Sequence, residues 1–274
     1  MKIGVIHVIL WTFGVFLALG IALLTAAGLS RHLENDPVVS AAIQSAVYLG
    51  ACALFAARRP GRSWSETFAL RNTSVWLVLA ALALGVMTCI PALTLAGFME
   101  NLAPMNATER AAHETWFKPR SFTHGVALFA FAAGIGVFSE ELLFRGALYT
   151  GLRPHHTATS AGWTTGVLFT LSHGDPRFWP SILALSGLLA VVRAVSGSLW
   201  PSLFLHAGFN ATALGMPLSN PQLEDPSIGL VVASTALSAL ILGVVVWIGR
   251  RSASADRARQ VDLEPDPGLG ETLP

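Results

Sequence analysis

Apolar residues fall along this chain in long blocks rather than in alternation. Runs long enough to cross a bilayer lie at about 4–28, 38–57, 74–98 and 123–148, with a second group at about 160–174, 178–195, 198–217 and 227–249. A crossing helix needs about 20 mainly apolar residues at a rise of about 1.5 Å each. The first group meets that length, whereas several runs of the second are short and interrupted by Gly and Pro. The pattern predicts an all-α membrane protein with about eight transmembrane helices enclosing a polar intramembrane cavity. No internal repeat is visible. Turn chemistry marks the connectors at Asn35-Asp36-Pro37, Arg59-Pro60-Gly61, Gly174-Asp175-Pro176 and Asn220-Pro221.

Composition agrees with the pattern. The chain is 53% hydrophobic and 12% charged, with a mean hydropathy of +0.59, whereas a soluble domain carries about 25% charged residues. A net charge of +1, without any Lys/Arg cluster interleaved with aromatics, gives no case for a nucleic-acid partner. Lys2 precedes an apolar run of about 25 residues ending at Gly28. That exceeds the roughly 7–15 residues of a cleaved signal's apolar region, so it reads as a spanning helix despite the small residues Thr25-Ala26-Ala27-Gly28. Cys52 and Cys89 both lie in apolar runs and read as small buried hydrophobes rather than a disulfide or metal pair.

The basic residues suggest an orientation. Arg58, Arg59, Arg62 and Arg71 lie between spans two and three, Arg153 after span four, Arg193 near the end of span six, and Arg250 and Arg251 after span eight. With eight spans all of these fall on one side, opposite Glu34, Asp36, Glu224 and Asp225. The positive-inside rule then places the N- and C-termini in the cytoplasm. The Ala/Gly/Arg-rich composition suggests a bacterial plasma membrane. The 99–122 connector mixes Glu100, Glu109, Arg110, Glu114, Lys118 and Arg120 with Met105, Trp116 and Phe117. It fits an interfacial amphipathic helix, an ordered lid or a solvated loop. The tail after Arg251 is charged, rich in Pro and Gly, and reads as disordered.

Against this background three polar insertions stand out. Glu140-Glu141-Leu142-Leu143-Phe144-Arg145 places three ionisable groups at the end of the apolar run Gly125–Phe138. Unpaired at the bilayer centre, each would cost roughly 2.5–3.5 kcal/mol. Glu141 and Arg145 are four apart on one helix face, in the favourable order for an ion pair. Glu140 points elsewhere without a local partner, which suits a general base. The second insertion pairs Phe169 with His173 on one face, and the third pairs His206 with Asn210. His7, His32, His113, His124, His155 and His156 are assigned no role, while Gly208 is small enough to admit a close neighbour to His206.

A glutamate, two histidines and an asparagine suit peptide-bond hydrolysis. The carboxylate and one imidazole can activate a water, and the other imidazole and the amide can stabilise the oxyanion. Glu140, His173 and His206 could instead hold a metal with water as fourth ligand, although the His-Glu-x-x-His signature of soluble zinc proteases is absent. Two rival readings use the same residues: a catalytically silent membrane scaffold or immunity factor, and a proton-coupled transporter with Glu140 and the histidines as its relay.

The three motifs in this order resemble the CPBP family of CAAX proteases and bacteriocin-processing enzymes, also called the ABI family. That family's pattern is Glu-Glu-x-x-x-Arg, Phe-x-x-x-His and His-x-x-x-Asn. Here it is met by Glu140, Glu141 and Arg145, by Phe169 and His173, and by His206 and Asn210. Phe144-Arg145-Gly146 and Gly197-Ser198-Leu199-Trp200 are also similar, and the likeness covers about 123–215. The resemblance implies an eight-helix intramembrane endopeptidase in which Glu140 and His173 activate the water and His206 and Asn210 stabilise the transition state. Glu141, Arg145 and Phe169 would support them. Family accounts as a metalloprotease leave zinc open as cofactor. The implied partner is a membrane-associated peptide or protein in the lipid bilayer: a prenylated CAAX tail in eukaryotes, a leader peptide or membrane-anchored regulator in bacteria. The corresponding division is N-terminal helices and connectors over 1–122, a CPBP catalytic core over 123–217, a last helix over 218–249 and the tail over 250–274.

The helix ends raise one geometric difficulty. At about 1.5 Å per residue, Glu140 and His206 each lie about 12 Å from ends at Leu148 and Ser198, but His173 lies about 20 Å from a start at Ser160. The three meet only if 151–159 dips inward or span five tilts strongly.

Overall fold

The computed structural model describes residues 4–29, 36–219 and 226–263. Helix accounts for 84% of the described residues and no strand occurs among them, so the fold is all-α. In chain order the helices are α1 (Val5–Leu29), α2 (Pro37–Ala57), α3 (Trp64–Phe68), α4 (Val75–Leu102) and α5 (Ala107–Phe117). Then follow α6 (Phe122–Leu152), α7 (Ala158–Leu171), α8 (Trp179–Ser196), α9 (Trp200–Ser219) and α10 (Ile228–Leu263).

Among the described residues six helices are long and apolar enough to cross a membrane: Val5–Leu29, Pro37–Ala57, Val75–Leu102, Phe122–Leu152, Pro176–Ser196 and Ile228–Ser252. The expected count of about eight is thus not reached by length and composition. The two runs that fall short are α7, with 14 residues, and α9, whose 20 residues include His206 and Asn210. Helix α7 is too short, and in α9 the polar residues that mark it as chemistry also lower its hydropathy. The protein is an integral membrane protein by its apolar helices.

Local chemistry fixes the helix ends. The Asp36 carboxylate caps α2 by accepting from Val38 N–H at 2.9 Å and Val39 N–H at 3.3 Å. Arg120, just before α6, reaches the same carboxylate at 3.0 Å, tying the starts of α2 and α6 together. Ser63 and Glu66 form a reciprocal capping box on α3. The 99–122 connector is helical over α5, held by Arg110–Glu100 at 2.7 Å and Arg177–Glu109 at 3.0 Å. It is therefore ordered, not a loop. The backbone of α10 continues to Leu263, so the tail is helical to that residue where irregular chain was expected. Residues 264–274, together with Glu34, Asn220-Pro221, Glu224 and Asp225, lie outside the described residues.

Two apolar clusters hold the helices together. One joins α1, α2 and α3 to α6 and α7 through Tyr48, Phe55, Phe68, Phe144 and Phe169; the other joins α4, α8, α9 and α10 through Leu77, Leu84, Leu189, Leu205 and Val245. Cys52 and Cys89 are buried free thiols. The closest packing is α4 against α9. A Cβ on Gly85 would run into the Leu205 carbonyl, and one on Gly208 would stand 2.8 Å from the Leu82 carbonyl. Only glycine at these two places lets the backbones approach so far. Since His206 sits between Leu205 and Gly208 along α9, this contact sets its position.

Candidate active site

Glu140 and Glu141 end a short α-helical stretch, Gly136–Glu141, bracketed by π-helical turns at Phe131–Ile135 and Leu142–Leu148. The first turn has a sequence cause: a Cβ at Gly136 would lie 2.5 Å from the Phe131 carbonyl that its N–H bonds. Such π turns are frequent at functional sites because they re-aim the side chains around them. Here they separate two adjacent carboxylates. Glu141 points into the protein with 0% side-chain exposure, and Glu140 keeps 13%.

Glu141 accepts from Arg145 Nη1 at 3.1 Å, the i,i+4 pair expected from the spacing, with Arg145 only 1% exposed. Arg145 also donates to Ser186 Oγ of α8 at 2.7 Å and stacks over the Phe169 ring with its guanidinium carbon 4.3 Å from the centroid. A buried guanidinium therefore meets a carboxylate, a hydroxyl and a π face.

His206 joins the two glutamates. Its Nδ1 lies 3.0 Å from Glu141 Oε1, and its Nε2 lies 3.7 Å from Glu140 Oε2. A carboxylate accepts, so Nδ1 carries the proton and donates to Glu141. Phe169 presents itself edge-on to His206 at 5.6 Å between centroids and to His173 at 4.8 Å. His173 Nδ1 lies 2.9 Å from the Phe169 carbonyl, which can only accept; the proton is on Nδ1 and the Nε2 lone pair is left unused. Glu140, Glu141, Arg145, Phe169, His173 and His206 thus form one contiguous group. Asn210 lies one turn beyond His206, where its amide donates to the Ala132 carbonyl in the first π turn at 2.7 Å.

Of the two arrangements expected, a dip of 151–159 or a strong tilt of the next helix, the first is not accompanied by burial of that stretch within the protein. Only Gly151 and Leu152 are buried there, as the last residues of α6, while Arg153, Pro154, His155, Thr157 and Thr159 are exposed. Two other features bring the groups together. Helix α6 continues to Leu152 rather than ending at Leu148, and the chain entering α9 is set inward. Ser198 and Leu199 are buried, with the Ser198 hydroxyl donating to the Arg71 carbonyl at 2.6 Å and Leu199 N–H to the Ala69 carbonyl at 2.9 Å. The chain leaving α3, from buried Phe68 through Ala69 to Arg71, supplies those two acceptors.

Some contributing residues lie outside the three motifs. Gln44 of α2 donates from Nε2 to Glu140 Oε1 at 2.6 Å. It is the one amide side chain in Pro37–Ala57, and a lone amide inside an apolar span was the available signal. Trp179 donates from its indole N–H to the His173 carbonyl at 2.7 Å. Arg193, counted with the flanking basic residues by sequence, is only 5% exposed; its Nε donates to the Arg145 carbonyl at 3.3 Å and its Nη2 to Thr150 Oγ1 at 3.0 Å. It belongs to the packing around the second π turn.

Among the described residues no three His, Cys, Asp or Glu side chains are grouped to hold an ion. Glu140, His173 and His206 would hold one through Glu140 Oε2 and the two Nε2 lone pairs, because His206 Nδ1 donates to Glu141, His173 Nδ1 to the Phe169 carbonyl, and Gln44 occupies only Glu140 Oε1.

No curated protein and no solved structure matches the chain. Residues 122–212, about a third of it, match the family model described as Type II CAAX prenyl endopeptidase Rce1-like. That stretch runs from the start of α6 into α9 and contains all seven motif residues. Families of this kind are usually proteases, which supports a hydrolase. The stretch 122–212 is thus similar to Rce1-like domains, consistent with the CPBP family that the three motifs resemble.

Proposed function

We propose that this chain is an intramembrane endopeptidase resembling type II CAAX prenyl proteases, and that it hydrolyses a peptide bond of a membrane-associated peptide or protein. The observation that carries this reading is the unequal surroundings of the two adjacent glutamates. Glu141 is sealed between Arg145 and His206, whereas Glu140 retains exposure and has one oxygen fixed by Gln44 and the other facing His206. A water can reach Glu140 and cannot reach Glu141. Glu140 takes the proton of that water as it attacks the scissile carbonyl, and His173, with Nε2 unused, assists on the same water. His206 and the second N–H of Asn210 face the developing charge. Glu141, Arg145 and Phe169 hold His206 and His173 in place.

The substrate enters from the bilayer or its surface, and α7 and α9 count as two further crossings beside the six apolar helices, giving eight in all. The arginines between and after the spans (Arg58, Arg59, Arg62, Arg71, Arg153, Arg250 and Arg251) support cytoplasmic termini in a bacterial cell. Purified wild-type protein and Glu140→Gln, each given a membrane-anchored peptide library, test the reading. The wild type cleaves and Glu140→Gln does not, with an unchanged melting temperature. Proton-linked flux without cleavage would favour a transporter, and a biological effect that survives Glu140→Gln would favour a scaffold.

A further inference from the structure

One oxygen of Glu140 is held by a side chain outside the three motifs. Gln44, half-buried on α2, donates from Nε2 to Glu140 Oε1 at 2.6 Å. An ionised carboxylate only accepts, so the amide nitrogen faces it and the amide oxygen is turned the other way. Gln44 Oε1 takes no hydrogen bond from any described residue, and it is not enclosed. Its neighbour Ser45 needs no outside partner, because its hydroxyl donates to the Ala41 carbonyl one turn back at 2.7 Å. Donation to Glu140 therefore accounts for half of the Gln44 amide and leaves the acceptor half unexplained.

A peptide lying in this site needs that acceptor. Away from bulk water each backbone N–H of a substrate must find a partner in the protein. Most acceptors around the site are engaged. The Phe169 carbonyl takes His173 Nδ1 at 2.9 Å and Ser172 Oγ at 2.7 Å, the Ala132 carbonyl takes Asn210, and the His173 carbonyl takes Trp179. Glu141 Oε1 receives both Arg145 and His206. Asn210 also has an open amide oxygen, but in the reading above that side chain faces the scissile carbonyl oxygen rather than an N–H. Gln44 Oε1 is open and belongs to the same planar amide that holds the base. The scissile carbonyl lies one water away from Glu140 Oε2, and an extended chain advances about 3.3 Å per residue, so an N–H flanking the scissile bond passes beside that amide.

We propose that Gln44 is a substrate-contacting group whose carbonyl accepts a backbone N–H flanking the scissile bond while its NH2 holds Glu140; this rests on the peptidase reading above. One rigid amide then sets the distance between base and substrate. The substrate class it selects is an extended peptide with a secondary amide at that position, so proline or an N-methylated residue there is refused. No proton passes through Gln44.

The test uses full-length protein in phosphatidylcholine vesicles and an internally quenched peptide with a lipidated cysteine near its C-terminus. Two further peptides carry an ester in place of one amide. One lacks the N–H of the residue that supplies the scissile carbonyl, the other that of the second residue beyond the bond. Gln44→Met keeps the side-chain length and removes both halves of the amide, and each enzyme is run on each peptide. On the parent peptide Gln44→Met is expected to lower kcat/KM by about tenfold or more. On one ester the wild type itself falls by about tenfold, the worth of one hydrogen bond. The ratio of wild type to Gln44→Met then shrinks by about fivefold or more, because the contact is already gone. An amide that only braces Glu140 or the fold would give the same ratio on all three peptides. If the wild type cleaves and the ratio shrinks by less than about fivefold on both esters, the contact is overturned and the peptidase reading stands. Should Gln44→Met not fold, the wild type alone decides, and a loss below about fivefold on both esters overturns the contact. If the wild type cleaves nothing, both are overturned.

Discussion

The fully buried Glu141 carboxylate meets the Nδ1 of His206 at 3.0 Å, and the guanidinium of Arg145 reaches the same Oε1 at 3.1 Å. One carboxylate thus anchors an imidazole on α9 and an arginine on its own helix. Removing one partner of a buried ion pair leaves the other charge uncompensated, which costs roughly 3–5 kcal/mol. Arg145→Leu is accordingly predicted to destabilise the protein by about that amount. Glu140→Gln, at a partly exposed carboxylate, is predicted to leave the melting temperature near the wild-type value. Thermal unfolding of both variants in the same detergent checks the contrast.

The α4–α9 contact predicts a second loss. A side chain at Gly85 has no room beside the Leu205 carbonyl, so α9 must move away from α4. Gly85→Val is predicted to destabilise by about 1–3 kcal/mol, as overpacking does. It also displaces His206 from the two glutamates, so peptide cleavage falls with it. Gly50→Ala, where a Cβ meets nothing within 4 Å, is the matched control and is predicted to be silent in both assays.

Trp179 holds the chain at His173 rather than its ring, through the 2.7 Å bond to the His173 carbonyl. Loss of one such bond is worth about 0.5–1.5 kcal/mol. Trp179→Phe is predicted to lower kcat by about threefold to tenfold, in line with that energy, with KM unchanged. Steady-state kinetics on one peptide separates the two constants.

The helical class, the positions of the long helices and the seven motif residues were legible in the sequence because apolar length and polar interruption are local signals. The ion pair of Glu141 and Arg145 followed from spacing alone. The attachment of Glu141 to His206 did not, since a contact over 65 residues of separation has no periodic signature. The π turns on either side of the two glutamates were equally silent. Gln44 was visible as a lone amide but had no indicated partner. Arg193 was misplaced because a basic residue near a helix end looks the same whether it faces water or the Arg145 carbonyl. The crossing count suffered from the reverse effect: polar residues that advertise chemistry in α9 weaken its hydropathy.

Helix α5 is clamped to the loop before α8 by Arg177, which pairs with Glu109 at 3.0 Å and Asp175 at 2.7 Å. Both carboxyls are held below their ordinary values, in each case chiefly by the hydrogen bond from Arg177. A depressed folded-state value contributes stability above the unfolded value that is lost as pH falls through the folded one. The clamp is therefore predicted to be constant from neutral pH down to about 5 and to open progressively below about 4. Amide exchange over Ala107–Phe117, corrected for intrinsic rates, reads this directly. Molar salt at neutral pH is predicted to loosen it too, because the pairs are solvent-exposed.

The central claim is that Glu140 activates a water for peptide hydrolysis. The most direct measurement is mass spectrometry of the cleavage product formed in water enriched in oxygen-18, for the wild type and Glu140→Gln. The account predicts one heavy oxygen in the new carboxylate of the wild-type product. It predicts product formation lower by about 10²–10⁴-fold in Glu140→Gln, the usual contribution of a general base, from a protein of unchanged melting temperature. Unlabelled product, or a Glu140→Gln rate within about tenfold of the wild type, would contradict it.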